Sequence, residues 1–378
     1  MLFTFPSIVS LIILSVLALL IGIQVYLHFR YYWRIIKHKN PKIDSEQWPS
    51  VSIIICARSE YENLQELVPQ LLQMDYPNFE IILIDDASWD GSTDYIEQLQ
   101  KTESKIKGVF VTEDIKKNHL GKKLALSLGI KAAKNEVLLL TDADCRPQSQ
   151  SWIKAMVYHY TQNPKIEVVL GYSPFFKQSK LVNLVARMEN IYTGLNYLGF
   201  ALRQNPYMGV GRNLSYKRDL FFAHKGFASH LHIASGDDDL FINQVSTAQN
   251  TAVCLNPEGF VYSYSKNSFS EWFKQKKRHI AAGKYYKSQH KRALAFYAFT
   301  HHFLWISFAL SMCFADARPY GLIALGIYWL FKWPIMTTAF KRLKQGGSAF
   351  WIPFFDILYW PYCIFIALIS YSKKQRSW

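Results

Sequence analysis

The chain has 378 residues, half of them hydrophobic, which is enough to fold as two domains. Its formal net charge of +15 favours an anionic partner: a phosphorylated ligand, an acidic lipid surface or nucleic acid. The five cysteines are scattered along the chain, so they indicate neither a zinc site nor a disulfide framework. Such a set suits a reducing compartment. They are Cys56, Cys145, Cys254, Cys313 and Cys363.

The first predicted element is a membrane helix within residues 1–30. Ile8 to Leu27 are apolar except for three polar side chains, which is about the length that a helix needs to cross a bilayer. A cleaved signal peptide is the alternative, but no basic residue precedes the apolar run. Basic residues such as Arg30 and Arg34 follow it instead, so the positive-inside rule predicts that the next domain is cytoplasmic.

The next part of the chain, residues 48–267, alternates between predicted strands and amphipathic helices. This alternation is typical of an α/β domain with a mostly parallel sheet. The strands are predicted from short apolar runs at Val51–Ile55, Phe79–Ile84, Gly108–Val111 and Leu138–Leu140.

Polar residues follow three of these strands, namely Arg58, Asp86 and Asp142. Ligands of open α/β sheets bind at the carboxyl ends of the strands, so these residues are predicted to meet in one crevice. Asp142 and Asp144 lie one residue apart and share a face of an extended chain. They suit a hard cation, Mg²⁺ or Mn²⁺, held together with substrate phosphates, although a solvated turn with two chance acids is the alternative.

Further along, the sequence predicts a helix over Pro147–Asn163 and a strand over Glu167–Leu170. Lys180–Ala201 is amphipathic, and its apolar stripe suits a membrane and a protein core equally well. The glycines of Met208–Asn213 either bring the backbone close to a ligand or form a plain turn.

Two later clusters carry chemistry. Asp237, Asp238 and Asp239 stand side by side, which is electrostatically costly unless a cation or a proton-transfer role uses them; caps of a helix are the alternative. Gln275, Arg278 and His279 share one face of a basic helix, within an interfacial segment predicted over residues 268–291. A basic helix lying on anionic lipid is the alternative reading of that segment.

Residues 292–378 are predicted to form a membrane region. Ala293–Phe314 and Tyr320–Phe340 are long enough to span. Phe350–Tyr371 is a third apolar stretch, and the charge of Lys373, Lys374 and Arg376 leaves open whether it crosses or re-enters.

The order of these motifs resembles the membrane-bound inverting glycosyltransferases of family 2, which have the GT-A type of fold. Hyaluronan, poly-N-acetylglucosamine and cellulose synthases and ceramide glucosyltransferase are members of that group. The resemblance covers roughly Val51 to Lys284. Two features depart from it: His279 replaces the usual Trp, and there are fewer membrane helices than in polymer-exporting members.

The resemblance implies a role for each motif. It implies nucleotide binding by seven residues: Cys56, Ala57, Arg58, Glu60, Asp86, Lys122 and Asp142. It implies a metal site at Asp142 and Asp144, and a catalytic base at Asp238, with Asp237 and Asp239 as alternatives. It implies that Gln275, Arg278 and His279 contact the diphosphate or the acceptor.

The expected function is therefore transfer of a sugar, with inversion, from a nucleotide-diphosphate sugar, by resemblance a UDP-sugar. The acceptor would be a lipid or a membrane-associated glycan, and the product a glycolipid or cell-envelope polysaccharide. A processive polysaccharide synthase and a non-catalytic membrane scaffold are the alternatives. No nucleic-acid-binding module is recognisable, so nucleic acid is not an expected partner.

Overall fold

The computed structural model describes residues 5–112, 121–231, 233 and 235–371. Its central unit is a seven-stranded sheet. The strands of that sheet are β1 Val51–Ala57, β2 Phe79–Asp86, β3 Ile106–Val111, β4 Val137–Asp142, β6 Val168–Leu170, β7 Leu214–Lys217 and β8 Thr251–Val253. They lie in the order β3-β2-β1-β4-β7-β6-β8, and within this sheet β7 alone runs against its neighbours. The predicted α/β class with a mostly parallel sheet is confirmed.

Helices cover both faces of the sheet. They are α2 Tyr61–Leu72, α3 Ser92–Thr102, α4 Gly121–Ala132, α5 Trp152–Gln162, α6 Leu181–Leu202, α7 Arg218–Ala223, α8 Asp239–Val245 and α9 Phe269–Gly283. Successive side chains of a strand point to opposite faces. Ile54 of β1 therefore packs in the cluster that holds α4, whereas Ile53 and Ile55 pack with α2 and α5. This explains why the strand sequences are apolar throughout.

One predicted helix differs from the structure, and one open prediction is decided by it. The helix predicted over Pro147–Asn163 is wrong at its start, because Cys145–Pro147 forms a strand, β5, that pairs with β9, Val261–Ser263. The helix then begins at Trp152. For α6 the structure settles the open choice: from Ala186 to Ala201 it is buried by protein on nearly every side.

Four apolar helices form a bundle next to this domain: α1 Ile8–Lys37, α10 Ser288–Cys313, α11 Arg318–Arg342 and α12 Ile352–Tyr371. The first three are long and apolar enough to cross a membrane. Residues 372–378, which include Lys373, Lys374 and Arg376, lie outside the described part of the chain.

Hydrogen bonds fix which ends of the bundle lie together. At one end, Asp316 of the α10–α11 loop accepts from the Ser7 backbone N–H at 2.6 Å and from the Ser10 hydroxyl at 2.9 Å. At the other end, Arg342 donates to the His38 carbonyl at 2.7 Å and to Asn40 at 2.6 Å. The basic ends of α1 and α11 thus lie on the side from which the chain enters the α/β domain.

Candidate functional site

The site lies where the order of the strands reverses, between β1 and β4. In the sheet, Cys56 is the partner of Asp142, and Ala57 is the partner of Asp85. Crossover helices leave opposite faces at such a point, so a crevice opens at the carboxyl ends of the strands. Here the crevice widens into a cavity of about 650 Å³ that continues towards the bundle.

Most of the residues predicted for the site line this single cavity. They are Cys56, Arg58, Glu60, Lys122, Asp142, Asp144, Asp237, Asp238, Gln275, Arg278 and His279. Two predicted residues are placed differently: Ala57 and Asp86 are buried at the ends of β1 and β2 and are not among the residues that line it. Of the three residues predicted to meet in one crevice, Arg58 and Asp142 line the cavity, whereas Asp86 lies at the end of the neighbouring strand.

A lysine stands between two acidic segments of the cavity. The ammonium of Lys122, at the start of α4, lies 2.6 Å from Asp142 and 3.7 Å from Asp237. Burial acts to raise the pKa of Asp142, but the charge and hydrogen bond of Lys122, together with the charges of Arg212 and Arg278, hold that pKa below its usual value. Burial and the neighbouring Asp142 raise the pKa of Asp144. A cation beside both carboxylates would relieve this repulsion.

The donor set limits what metal site these residues can build. Among the described residues, no group of three or more His, Cys, Asp or Glu side chains converges as a metal site. Asp142 and Asp144 supply two carboxylates, so further oxygens would have to come from a ligand or water. That division suits Mg²⁺ or Mn²⁺ bound together with a diphosphate.

The three consecutive acids make different contacts. Gly236 before them has φ +98°, and a side chain there would collide with Leu240, so glycine is required for this entry into α8. Asp238 accepts from the backbone N–H groups of Gly211, at 2.8 Å, and of Asp239, at 2.7 Å. Asp239 accepts from the Leu240 backbone N–H and from the Tyr286 hydroxyl, each at 2.7 Å.

These contacts separate the acids electrostatically. Burial, together with the charge of Asp237, raises the pKa of Asp238 to about 6. Burial and Asp238 raise the pKa of Asp239 to about 7. Asp237 faces Lys122. A carboxylate that is poised to take up a proton near neutral pH is a property of general bases.

The basic helix α9 forms a wall of the cavity. Ser268 caps it by accepting from the Glu271 backbone N–H. Buried Trp272 anchors it by stacking on Tyr362 of α12, with ring centroids 5.1 Å apart. The same helix presents Gln275, Arg278 and His279 to the cavity, as their i, i+3, i+4 spacing predicts.

Two cations that shape the site were not predicted. The Lys123 ammonium donates to the carbonyls of His230, Ile233 and Ser235 at 2.7, 2.8 and 2.8 Å, and so ties down the segment before the acids. Its position after Lys122 was visible in sequence, but its partners were not. Arg212 lines the cavity and stacks over Phe175 at 4.4 Å; its place in the glycine segment was an available signal.

The fold belongs to the GT-A class. A mannosyltransferase from Pyrobaculum calidifontis, solved in complex with GDP-Man and Mn²⁺, superposes with a TM-score of 0.59 over 92% of this chain and 98% of its own. The two sequences are 18% identical, so this likeness describes architecture alone.

Sequence comparison matches part of the chain to a family model. Residues 52–227 match the model of Glycosyl transferase family 2, and the chain therefore contains a domain of that family. The poly-β-1,6-N-acetyl-D-glucosamine synthase of Staphylococcus aureus strain COL is 24% identical over 198 residues, 52% of this chain and 45% of that enzyme. The synthase of Staphylococcus epidermidis is 28% identical over 148 residues, 39% and 34% of the two chains. The chain thus spans less than half the length of these curated relatives.

Proposed function

We propose that this protein is an inverting, metal-dependent glycosyltransferase that moves a sugar from a UDP-sugar to a lipid or membrane-associated glycan. The observation that carries the proposal is the convergence of Asp142, Asp144, Asp238 and Arg278, from three distant segments of the chain, on one cavity. The family 2 domain supports sugar transfer from a nucleotide donor as the class of reaction.

The charged end of the cavity would hold the donor. Lys122, Arg212 and Arg278 bring positive charge to the place where a diphosphate would lie beside Asp142. Cys56, Ala57, Arg58, Glu60 and Asp86 end or follow the first two strands, where the nucleoside would bind, with Asp86 meeting the base at the edge of the sheet.

Asp142 and Asp144 would hold a divalent cation, Mg²⁺ or Mn²⁺. When bound, such an ion would supply positive charge to offset the negative charge that develops on the leaving diphosphate. Consistent with this, the mannosyltransferase of similar fold was solved with Mn²⁺.

Asp238 would act as the base. Its carboxylate takes the proton of the acceptor hydroxyl while that oxygen forms a bond to the anomeric carbon. The bond from that carbon to the phosphate oxygen breaks at the same time, and UDP leaves with the electron pair. Attack opposite the leaving group inverts the anomeric configuration. Asp239 is less suited, because its side chain is buried, whereas that of Asp238 is partly exposed.

We further propose that residues 48–267 form a cytoplasmic catalytic domain, followed by the interfacial helix of residues 268–291 and the membrane region of residues 292–378. Arg34 and Lys37 in the last turn of α1, and Lys341 and Arg342 in that of α11, support this orientation. The joined ends at His38 and Arg342 place both basic turns on the same side.

A processive synthase is the second candidate, favoured by the polysaccharide synthases among the relatives. Product length separates the two: single transfer gives one added sugar per acceptor, whereas a processive enzyme gives a ladder.

The proposal is tested by supplying membranes that contain the protein with a panel of radiolabelled nucleotide sugars. We expect one UDP-sugar to label a lipid or glycan fraction, EDTA to abolish the labelling, and Mn²⁺ or Mg²⁺ to restore it. Absence of both transfer and donor hydrolysis with every nucleotide sugar, with or without metal, would refute the proposal.

A further inference from the structure

The cavity extends beyond the charged end, and its inner part, which we call the inner chamber, has a different chemistry. Its walls come from α6, from the end of α9 and from the bundle helices α10 and α12. The residues that line it are Glu189, Asn190, Thr193, Asn196, Tyr197, Lys276, Ile280, Gly283, Leu294, Tyr359 and Tyr362. Amides, hydroxyls and aromatic rings dominate this wall, in contrast to the acids and cations of the outer part.

Helix α6 shows how specific this wall is. From Ala186 to Ala201 its residues are buried with three exceptions: Asn190, Thr193 and Asn196 are partly exposed. These three are spaced by three residues, so they form one stripe along the helix, and all three line the cavity. A helix buried by protein on every other side thus keeps its accessible stripe for hydrogen-bonding side chains.

Tyrosines fix the orientation of both amides. Asn190 Oδ1 accepts from the Tyr172 hydroxyl at 3.2 Å, and Asn196 Oδ1 accepts from the Tyr32 hydroxyl at 2.7 Å. An asparagine amide carries two further donors on Nδ2, and the Thr193 hydroxyl both donates and accepts. The stripe therefore offers amide donors on both sides of a hydroxyl that donates and accepts, a set that sugar hydroxyls can match.

The charge in the chamber argues against a phosphorylated occupant. Its cation, Lys276, forms an ion pair with Glu189, and both side chains are largely buried. A phosphate placed there would have to break that pair or stay uncompensated at a buried site. An acyl chain fits no better, since it would leave the amides of the stripe without partners. Tyr359 and Tyr362 of α12 add aromatic surface to the wall, and sugar rings pack on aromatic side chains.

We propose that the inner chamber binds the acceptor as an uncharged, hydroxyl-rich sugar residue, rather than as a lipid phosphate. The inference rests on the proposed function and adds the chemical class of the acceptor. Because α10 and α12 contribute to the wall, the sugar can be the headgroup of a glycolipid or the end of a free glycan.

The test uses the full chain in lipid nanodiscs with the nucleotide sugar that the donor panel selects. Release of UDP is measured with three acceptors: a β-1,6-linked N-acetylglucosamine trisaccharide, a diglucosyl diacylglycerol and a polyprenyl phosphate. We expect at least one of the neutral sugars to stimulate release and the polyprenyl phosphate not to. The trisaccharide indicates a free glycan, and the glycolipid alone indicates a headgroup.

The variant Thr193→Val removes one hydroxyl of the stripe at nearly constant volume. We expect it to raise the KM for the neutral acceptor about 3- to 10-fold, as loss of one uncharged hydrogen bond predicts, with a donor KM within about twofold of wild type. The matched control is Thr102→Val at the end of α3, whose hydroxyl bonds only to carbonyls of its own helix among the described contacts. That control should match wild type in both constants.

Stimulation by polyprenyl phosphate alone, or an unchanged acceptor KM in Thr193→Val, would overturn the inference. Saturation-transfer NMR of the trisaccharide with the nanodiscs separates this failure from failure of the proposed function, because binding needs no transfer. Binding that Thr193→Val weakens supports the chamber even if no nucleotide sugar reacts. Absence of binding by the trisaccharide and by the glycolipid headgroup refutes it.

Discussion

At the scale of single residues, the choice of catalytic base depends on contacts that adjacent acids do not share. Asp238 is oriented by two backbone N–H groups, whereas Asp237 faces Lys122 and Asp239 is held by Tyr286. The sequence predicted a cluster of three acids but could not choose among them. Gly211 and Tyr286, whose contacts make the distinction, lie in other segments and meet the acids only in the folded chain.

We expect Asp238→Asn to lower the transfer rate by about 10²- to 10⁴-fold, because the amide has nearly the same shape but cannot take up the proton. Donor affinity should stay within a few-fold, measured by titration with UDP. The matched variant is Asp239→Asn, for which a smaller loss is expected. Near-normal turnover of Asp238→Asn together with an inactive Asp239→Asn would assign the base to Asp239.

The pH profile gives a second prediction for the same residue. A base works as the carboxylate, so raising its pKa moves the loss of activity to higher pH. Since burial and Asp237 raise the pKa of Asp238 to about 6, kcat/KM should fall as pH decreases through about 6. An ordinary aspartate would keep the enzyme active down to about pH 4.

Asp237→Asn removes one of the two causes of this raised pKa, so the acidic limb of its residual activity should move to lower pH. If the activity of Asp237→Asn fell at the same acidic pH as that of wild type, the charge of Asp237 would not set the pH profile.

At the scale of elements, Lys123 joins α4 to the segment that carries the acids. It donates to three backbone carbonyls, and its burial lowers its pKa to about 8. Lys123→Met keeps the length of the side chain but leaves those carbonyls without their donor, at a cost of about 1–3 kcal/mol in unfolding free energy. We therefore expect faster hydrogen exchange over residues 235–240 and a kcat reduced by about tenfold or more.

The control for this variant is Lys131→Met, an exposed lysine of the same helix, which should leave exchange and kcat as in wild type. If exchange over residues 235–240 were unchanged in Lys123→Met, the lysine would not order this segment.

A strand or helix can be predicted from the sequence when the residues that determine it lie close together in the chain. The strands around Ile53, Ile81 and Leu139 were predicted because burial on both faces leaves a continuous apolar run. The strand Cys145–Pro147 was missed because its partner, Val261–Ser263, lies far along the chain and no local pattern marks the pair. The sequence does not predict what covers the apolar stripe of α6, because a membrane and a protein core select the same apolar residues.

At the scale of the whole molecule, the sequence indicated apolar helices but not how they assemble. Asp356 is an acidic residue within the apolar stretch Phe350–Tyr371. In the structure it is a junction of three bundle helices: it accepts from His301 of α10 at 3.0 Å, from Tyr328 of α11 at 3.2 Å, and from Lys332 of α11. Polar groups inside such bundles are expected to pair with one another, and periodicity does not identify the partners.

This junction predicts an asymmetry between single and double substitutions. Lys332 and Asp356 are both buried, so Lys332→Met leaves a carboxylate without its cation, which typically costs about 3–5 kcal/mol. The double variant Lys332→Met/Asp356→Leu removes both charges and should recover most of the stability. We expect thermal unfolding of the purified protein in detergent, followed by tryptophan fluorescence, to rank wild type and the double variant above the single variant. If the single variant unfolded at the same temperature as wild type, the pair would not hold α11 to α12. If the double variant unfolded at no higher temperature than the single variant, shape rather than charge would join the helices.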